Sequence, residues 1–68
     1  MITTETENDL TYVVIDGNTV GYYHIRRDGT WFGSAYGDKH LSFQDALNDT
    51  EMGIRKWIIQ HWQEAHRA

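Results

Sequence analysis

Apolar and polar residues along this chain follow two different rhythms. Between residues 10 and 36 the apolar positions come in short β-branched and aromatic runs broken by turn residues, which predicts strands. From residue 43 onward they recur at three- and four-residue intervals, which predicts a helix. The runs place strands at about 10–15, 19–27 and 30–36, a loop at 37–41 and a helix over 43–66. The expected fold is therefore α+β: a three-stranded antiparallel meander followed by one C-terminal helix packed on one sheet face. Residues 1–9 read as an acidic flexible lead-in to a single βββα domain over 10–68.

Turn chemistry supplies a register. Asp28-Gly29 is a strong hairpin signal, because both central positions of a two-residue loop must tolerate positive φ. A two-residue loop there pairs Ile25 with Phe32 and Tyr23 with Ser34. One face then carries Tyr23, Ile25, Phe32 and Tyr36, and the other carries Tyr22, His24, Arg26 and Trp31. With a two-residue loop at Gly17-Asn18, Tyr12 and Val14 join the first face, while Val13, Ile15 and Val20 join the second. A three-residue loop would exchange the first strand between faces. Both faces are apolar enough to want a cover, and one helix covers only one. Gly21 and Gly33 interrupt strands and point to bulges or to close backbone approach.

For the helix, Ser42 followed by Asp45 reads as a variant capping box. Phe43, Ala46, Leu47, Ile54, Trp57, Ile58, His61 and Ala65 form one continuous stripe, the expected core face. Met52, Ile59 and Trp62 fall on a neighbouring flank. Gly53 has three readings: a kink, a split into 43–49 and 50–66 with Asp49 or Thr50 as second cap, or close approach of the sheet.

Composition narrows the function classes. Sixty-eight residues make a single domain with a marginal core, and small domains usually gain stability from disulfides, metals or association. No cysteine is present, which removes the first option and thiolate metal sites, fits a reducing compartment and gives association more weight. MITTETENDL is acidic and Thr-rich, and no apolar run approaches a membrane span, so the expected setting is soluble and cytoplasmic. The net charge is −4, and residues 1–20 hold four carboxylates with no Lys or Arg. Such a balance argues against nonspecific nucleic-acid binding, which phosphate neutralisation drives.

No catalytic, cofactor or metal set emerges. Ser34 sits in a predicted strand and Ser42 at a cap, with nothing like a nucleophile elbow. Asp45 and Asp49 share a helix side but lie on its polar face, so they read as solvated helix acids. Among His24, His40, His61 and His66, the 61/66 spacing places the two rings far apart around a helix, unlike a zinc-binding i, i+4 pair. The six glycines form neither a dinucleotide nor a phosphate loop. The expectation is a non-enzymatic protein without cofactor or metal.

The face holding Tyr22, His24, Arg26 and Trp31 admits two readings. Structurally, Arg26 and Trp31 form a cross-strand cation–π pair at a hairpin end. Functionally, aromatic and basic side chains on a sheet can stack bases or bind a protein. The segment DGTWFGSAYGDKHLSFQDAL, residues 28–47, resembles the "Gly-x-Trp … Ser-Phe-x-x-Ala" pattern of AP2-like, sheet-plus-helix modules in phage integrases. It also resembles HicB-type antitoxin domains, in which strands precede a helix. The resemblance implies a sheet-face nucleic-acid module, although the dense Lys/Arg of the integrase modules is missing here. It covers under a third of the chain and rests on hairpin and cap residues, so neither family is assigned.

Surplus apolar surface carries the favoured expectation, a protein-binding module. Val13, Ile15, Val20, Tyr22 and Trp31 on one sheet face, with Met52, Ile59 and Trp62 on the helix flank, exceed what one small core requires. With His24 and Arg26 they form the expected partner surface. The simplest partner is a second copy in a homodimer. The next is another protein, in the manner of the compact, acidic, cysteine-free inhibitors that phages and mobile elements encode.

Overall fold

Three tight turns and one short connection organise the described residues. The computed structural model describes residues 1–36 and 43–65. Strands β1 (Ile2–Glu7), β2 (Leu10–Ile15), β3 (Asn18–Ile25), β4 (Trp31–Tyr36) and β5 (Phe43–Asn48) precede helix α1 (Glu51–Ala65). The strands form one antiparallel sheet in the order β1-β2-β3-β4-β5, and α1 packs across β3, β4, β5 and the inner side of β2. The α+β class and the C-terminal helix on an antiparallel sheet stand. The sheet, however, has five strands where the sequence pattern predicted three.

The two additional strands lie at the edges. Residues 2–7, read as a lead-in, pair with β2 from Ile2↔Ile15 to Glu7↔Leu10. Asn8 and Asp9 both take positive φ (50° and 70°), as a two-residue type I′ hairpin loop requires. The other addition replaces the first part of the predicted helix. Phe43–Asn48 lines up along β4, from Tyr36↔Phe43 to Trp31↔Asn48. Pairing satisfies an edge of β4 that would otherwise expose its backbone, and this outweighs local helical spacing. The same change separates the chain from the sheet-then-helix modules it resembles, because Phe43–Asn48, where that pattern places the helix start, adds a strand.

The helix then begins at the second of the two proposed caps. The Gly53 amide donates to Thr50 Oγ1 at 2.9 Å, and Ile54 N donates to Thr50 O at 3.1 Å. Asn48 Oδ1 accepts from the Thr50 amide at 3.1 Å, joining the end of β5 to the helix start. Gly53 leaves room for that Asn48 side chain, which a Cβ at this position would strike. The predicted Ser42 cap and the 37–41 loop lie outside the described residues, as does His40.

Both central hairpins use loops one residue away from those predicted, with large consequences. Asp16-Gly17, rather than Gly17-Asn18, forms the first turn, with φ of 50° and 84°. In the second, Arg26 N donates to Thr30 O at 2.7 Å and Gly29 sits at φ 88°. That is a three-residue loop ending in a left-handed glycine, not a two-residue loop. Asp28 Oδ1 fastens it by accepting from the Thr30 amide (3.0 Å) and hydroxyl (2.6 Å). Ile25 therefore pairs with Trp31, and His24 with Phe32. A one-residue slip exchanges the faces of a strand. Trp31 thus moves to the helix side, while Phe32 and Tyr36 move to the opposite side.

A β-bulge completes the core. Val13 pairs with Gly21 but Val14 with Thr19, so Val20 is an extra residue in β3. Val13, Ile15 and Val20 consequently all turn inward, and with Tyr23, Ala35, Ile54 and Ile58 they make the buried core. Trp31, Ala46, Trp57, Ile59 and Trp62 pack around it, half-buried. Val13, Ile15, Val20 and Trp31, counted in the sequence as partner surface, are thus occupied beneath the helix. Ile59 and Trp62 also lean on the core, so the predicted helix stripe is wider than drawn, although Ala65 is exposed. Each aliphatic side chain so buried contributes about 1.5–3 kcal/mol.

Candidate functional site on the open sheet face

The helix covers one side of the sheet, and the other side has no covering element among the described residues. Cross-strand partners share a face, so the register assigns the residues of this open side. Its middle row runs Glu5, Tyr12, Tyr22, Ser34 and Asp45 across all five strands. A second row holds Glu7 and Leu10 on β1 and β2, then His24, Phe32 and Leu47 on β3, β4 and β5. A third includes Thr3, Val14 and Thr19, with Tyr36 at the end of β4.

Aromatic contacts run between these positions. The Tyr12 and Tyr22 rings lie 6.3 Å apart, tilted at 56°. His24 and Phe32 lie 5.3 Å apart at 37°. Burial lifts the Tyr36 phenol above the ordinary 10.0, and Tyr22 and Tyr12 add to the rise by repelling its ionised form. The three tyrosines are thus near neighbours. Beneath them Ser34 is buried, whereas Leu47 at the β5 edge is 56% exposed. Toward the β3–β4 turn, Arg26, Phe32, Asp45, Ala46 and Leu47 line an open depression.

The sequence-predicted partner residues are thus divided. Tyr22, His24 and Arg26 meet on the open face. Val13, Ile15, Val20 and Trp31 belong to the covered side. Met52 is exposed on the helix, where Ile59 and Trp62 are half-buried. Sequence reasoning missed Tyr12, Phe32, Tyr36 and Leu47 as members of the open face. The signal was Gly29, whose positive φ suits a three-residue loop as well as a two-residue one.

The expected Arg26–Trp31 pair does not form, because the register places Trp31 opposite Ile25. Arg55 supplies the described cation–π contact instead, with its guanidinium carbon 5.7 Å from the Tyr23 ring centre. Tyr23 also meets Trp31 edge-on at 5.8 Å. Its hydroxyl donates to Glu51 Oε2 at 2.8 Å and accepts from Arg55 Nη2 at 2.8 Å. Arg55 Nη2 closes the ring of contacts to Glu51 at 3.0 Å. This triad ties the first turns of α1 to β3 and satisfies a tyrosine with no exposed surface. On the next turns, Trp57 and His61 stack at 5.4 Å and 20°.

The triad predicts an alkaline weakness. Burial raises the Tyr23 phenol above 10.0; the hydrogen bond from Arg55 opposes the rise and that to Glu51 adds to it. Tyr36 is displaced the same way. The folded state holds these protons more tightly than the unfolded chain. The resulting stability is complete below the ordinary value of 10.0 and is lost as pH rises through the folded values. Urea midpoints followed by circular dichroism should be level below that pH and fall above it. Tyr23→Phe should flatten part of the fall, and an unchanged slope in that variant would refute the assignment.

Among the described residues, no three His, Asp or Glu side chains gather as a metal site, and no helix is long and apolar enough to cross a membrane. Comparison of the chain with protein-family models, curated proteins and solved structures gives no match.

Proposed function

We propose that this chain is a small non-enzymatic protein-binding module that works through the open face of its sheet. The observation that carries this reading is the row structure of that face: Tyr12, Tyr22, His24, Phe32 and Leu47 side by side, with no covering helix among the described residues. A two-layer domain normally leaves the solvent side of an antiparallel sheet polar. Rings at interface centres contribute disproportionately to binding, which favours a contact role for this apolar side. The partner is a second copy or another protein, as for an accessory or inhibitor protein of the phage or mobile-element kind. The absence of cysteine suits a cytoplasmic setting.

Tyr22→Ala with Phe32→Ala tests the reading, because both side chains are only half-buried and leave the core intact. Equilibrium sedimentation of the native protein should give a dimer, or pull-down should recover a stoichiometric partner. The double substitution should weaken either at least about tenfold with an unchanged circular dichroism spectrum. A strictly monomeric protein that recovers nothing would end the proposal.

A second reading draws on the same rings. Exposed aromatics on an antiparallel sheet can stack single-stranded bases, with Tyr22, His24 and Arg26 among the contacts. Titration with short single-stranded and duplex probes at low salt distinguishes it. No fluorescence change, or no effect of Arg26→Ala, removes it.

A further inference from the structure

The charges around the open face discriminate among occupants. The middle row begins at Glu5 and ends at Asp45, and Glu7 stands beside Glu5 on the outermost strand. Among the described residues none of these carboxylates pairs with Lys or Arg: the ion pairs are Arg55 with Glu51, on the covered side, and the terminal amine with Asp16. Against them stands the Arg26 guanidinium, at the β3–β4 turn. The centre is thus tyrosine and phenylalanine, and both sheet edges are acidic.

Resting on the protein-binding reading, we infer that the occupant of this face is a basic partner: an arginine- and lysine-rich protein surface or segment. Tyrosine rings attract cations over their faces, most strongly for arginine. The flanking carboxylates attract the same groups, steer their approach and penalise acidic competitors. A second copy would instead bring a second set of three carboxylates to the interface, with one further Arg26 among the described residues to offset them. Phosphates would meet the same repulsion. The charge of the whole chain, −4, acts in the same direction at long range.

The test uses the full chain and two synthetic peptides, one alternating arginine and valine and one alternating glutamate and valine. Binding is followed by nuclear magnetic resonance shifts. The arginine peptide alone should bind, shifting Tyr12, Tyr22 and Phe32, and added salt should weaken it. Glu5→Gln, Glu7→Gln and Asp45→Asn alter exposed positions, so the fold should survive. Together they should lower affinity about tenfold. Equal binding of both peptides, binding of neither, or shifts confined to the helix would overturn the inference. A dimer formed through this face would also overturn it while leaving the protein-binding reading intact. An oligonucleotide bound there in place of either peptide would overturn both.

Discussion

Gly21→Ala is expected to cost the protein at least about 3 kcal/mol, a third or more of its stability. A Cβ on Gly21 would stand 2.5 Å from the Ser34 carbonyl oxygen, 2.6 Å from Ile58 Cγ2 and 3.3 Å from the Ala35 Cα. Two of these neighbours are backbone of β4, the central partner of β3, and cannot move without disturbing the ladder on both sides. Overpacking a core typically costs about 1–3 kcal/mol and more when backbone must shift. A domain of this length has roughly 3–10 kcal/mol in total. Loss of at least about 3 kcal/mol would therefore remove about a third of the stability at the upper end of that range and all of it at the lower end. Urea titration followed by tryptophan fluorescence measures it, and a wild-type midpoint would contradict the close packing on which the fold depends.

The same close approach was visible in the sequence as two glycines interrupting strands, and the three central strand segments were visible too. What escaped was decided by competition between nearly equal local signals. The stretch FQDALN has helical spacing, yet β4 offered it a complete row of backbone partners and Thr50 offered a better cap. The one apolar residue of ITTETE, Ile2, stays exposed at the strand end and the rest are Thr and Glu, so periodicity was silent about β1. Only the Asn8-Asp9 pair, able to accept positive φ, signalled a hairpin there.

Strand register is the quantity that local sequence constrains least. One residue more in the Arg27–Gly29 loop carries Trp31 to the core and Phe32 to the open face, and the bulge at Val20 turns three aliphatic side chains inward. Of the surface anticipated from the sequence, Tyr22, His24 and Arg26 remain on the open side because their own strand kept its alternation. The supporting row of Tyr12, Phe32, Tyr36 and Leu47 depended on neighbouring strands. Pairing offset is a nonlocal quantity, and a turn dipeptide constrains it only to within one residue.

The second large effect is a coupling between Gly33 and Ile54. A Cβ on Gly33 would lie 2.5 Å from Ile54 Cγ1, 2.8 Å from Ile54 Cδ1 and 3.2 Å from Ile58 Cδ1, all side-chain atoms. Gly33→Ala alone should cost about 1–3 kcal/mol through overpacking. Ile54→Ala alone should cost about 2–5 kcal/mol, because it empties a fully buried position. Made together, the new methyl occupies part of the space the isoleucine vacated. The double variant should then be more stable than the sum of the two losses allows, by about 1 kcal/mol or more. Gly21→Ala combined with Ile58→Ala should show little such relief, because the Ser34 carbonyl still obstructs the methyl. Chemical denaturation of both double-mutant cycles tests the contrast. Additive losses at Gly33 and Ile54 would mean that the helix shifts as a body, rather than that these two positions fit into one another.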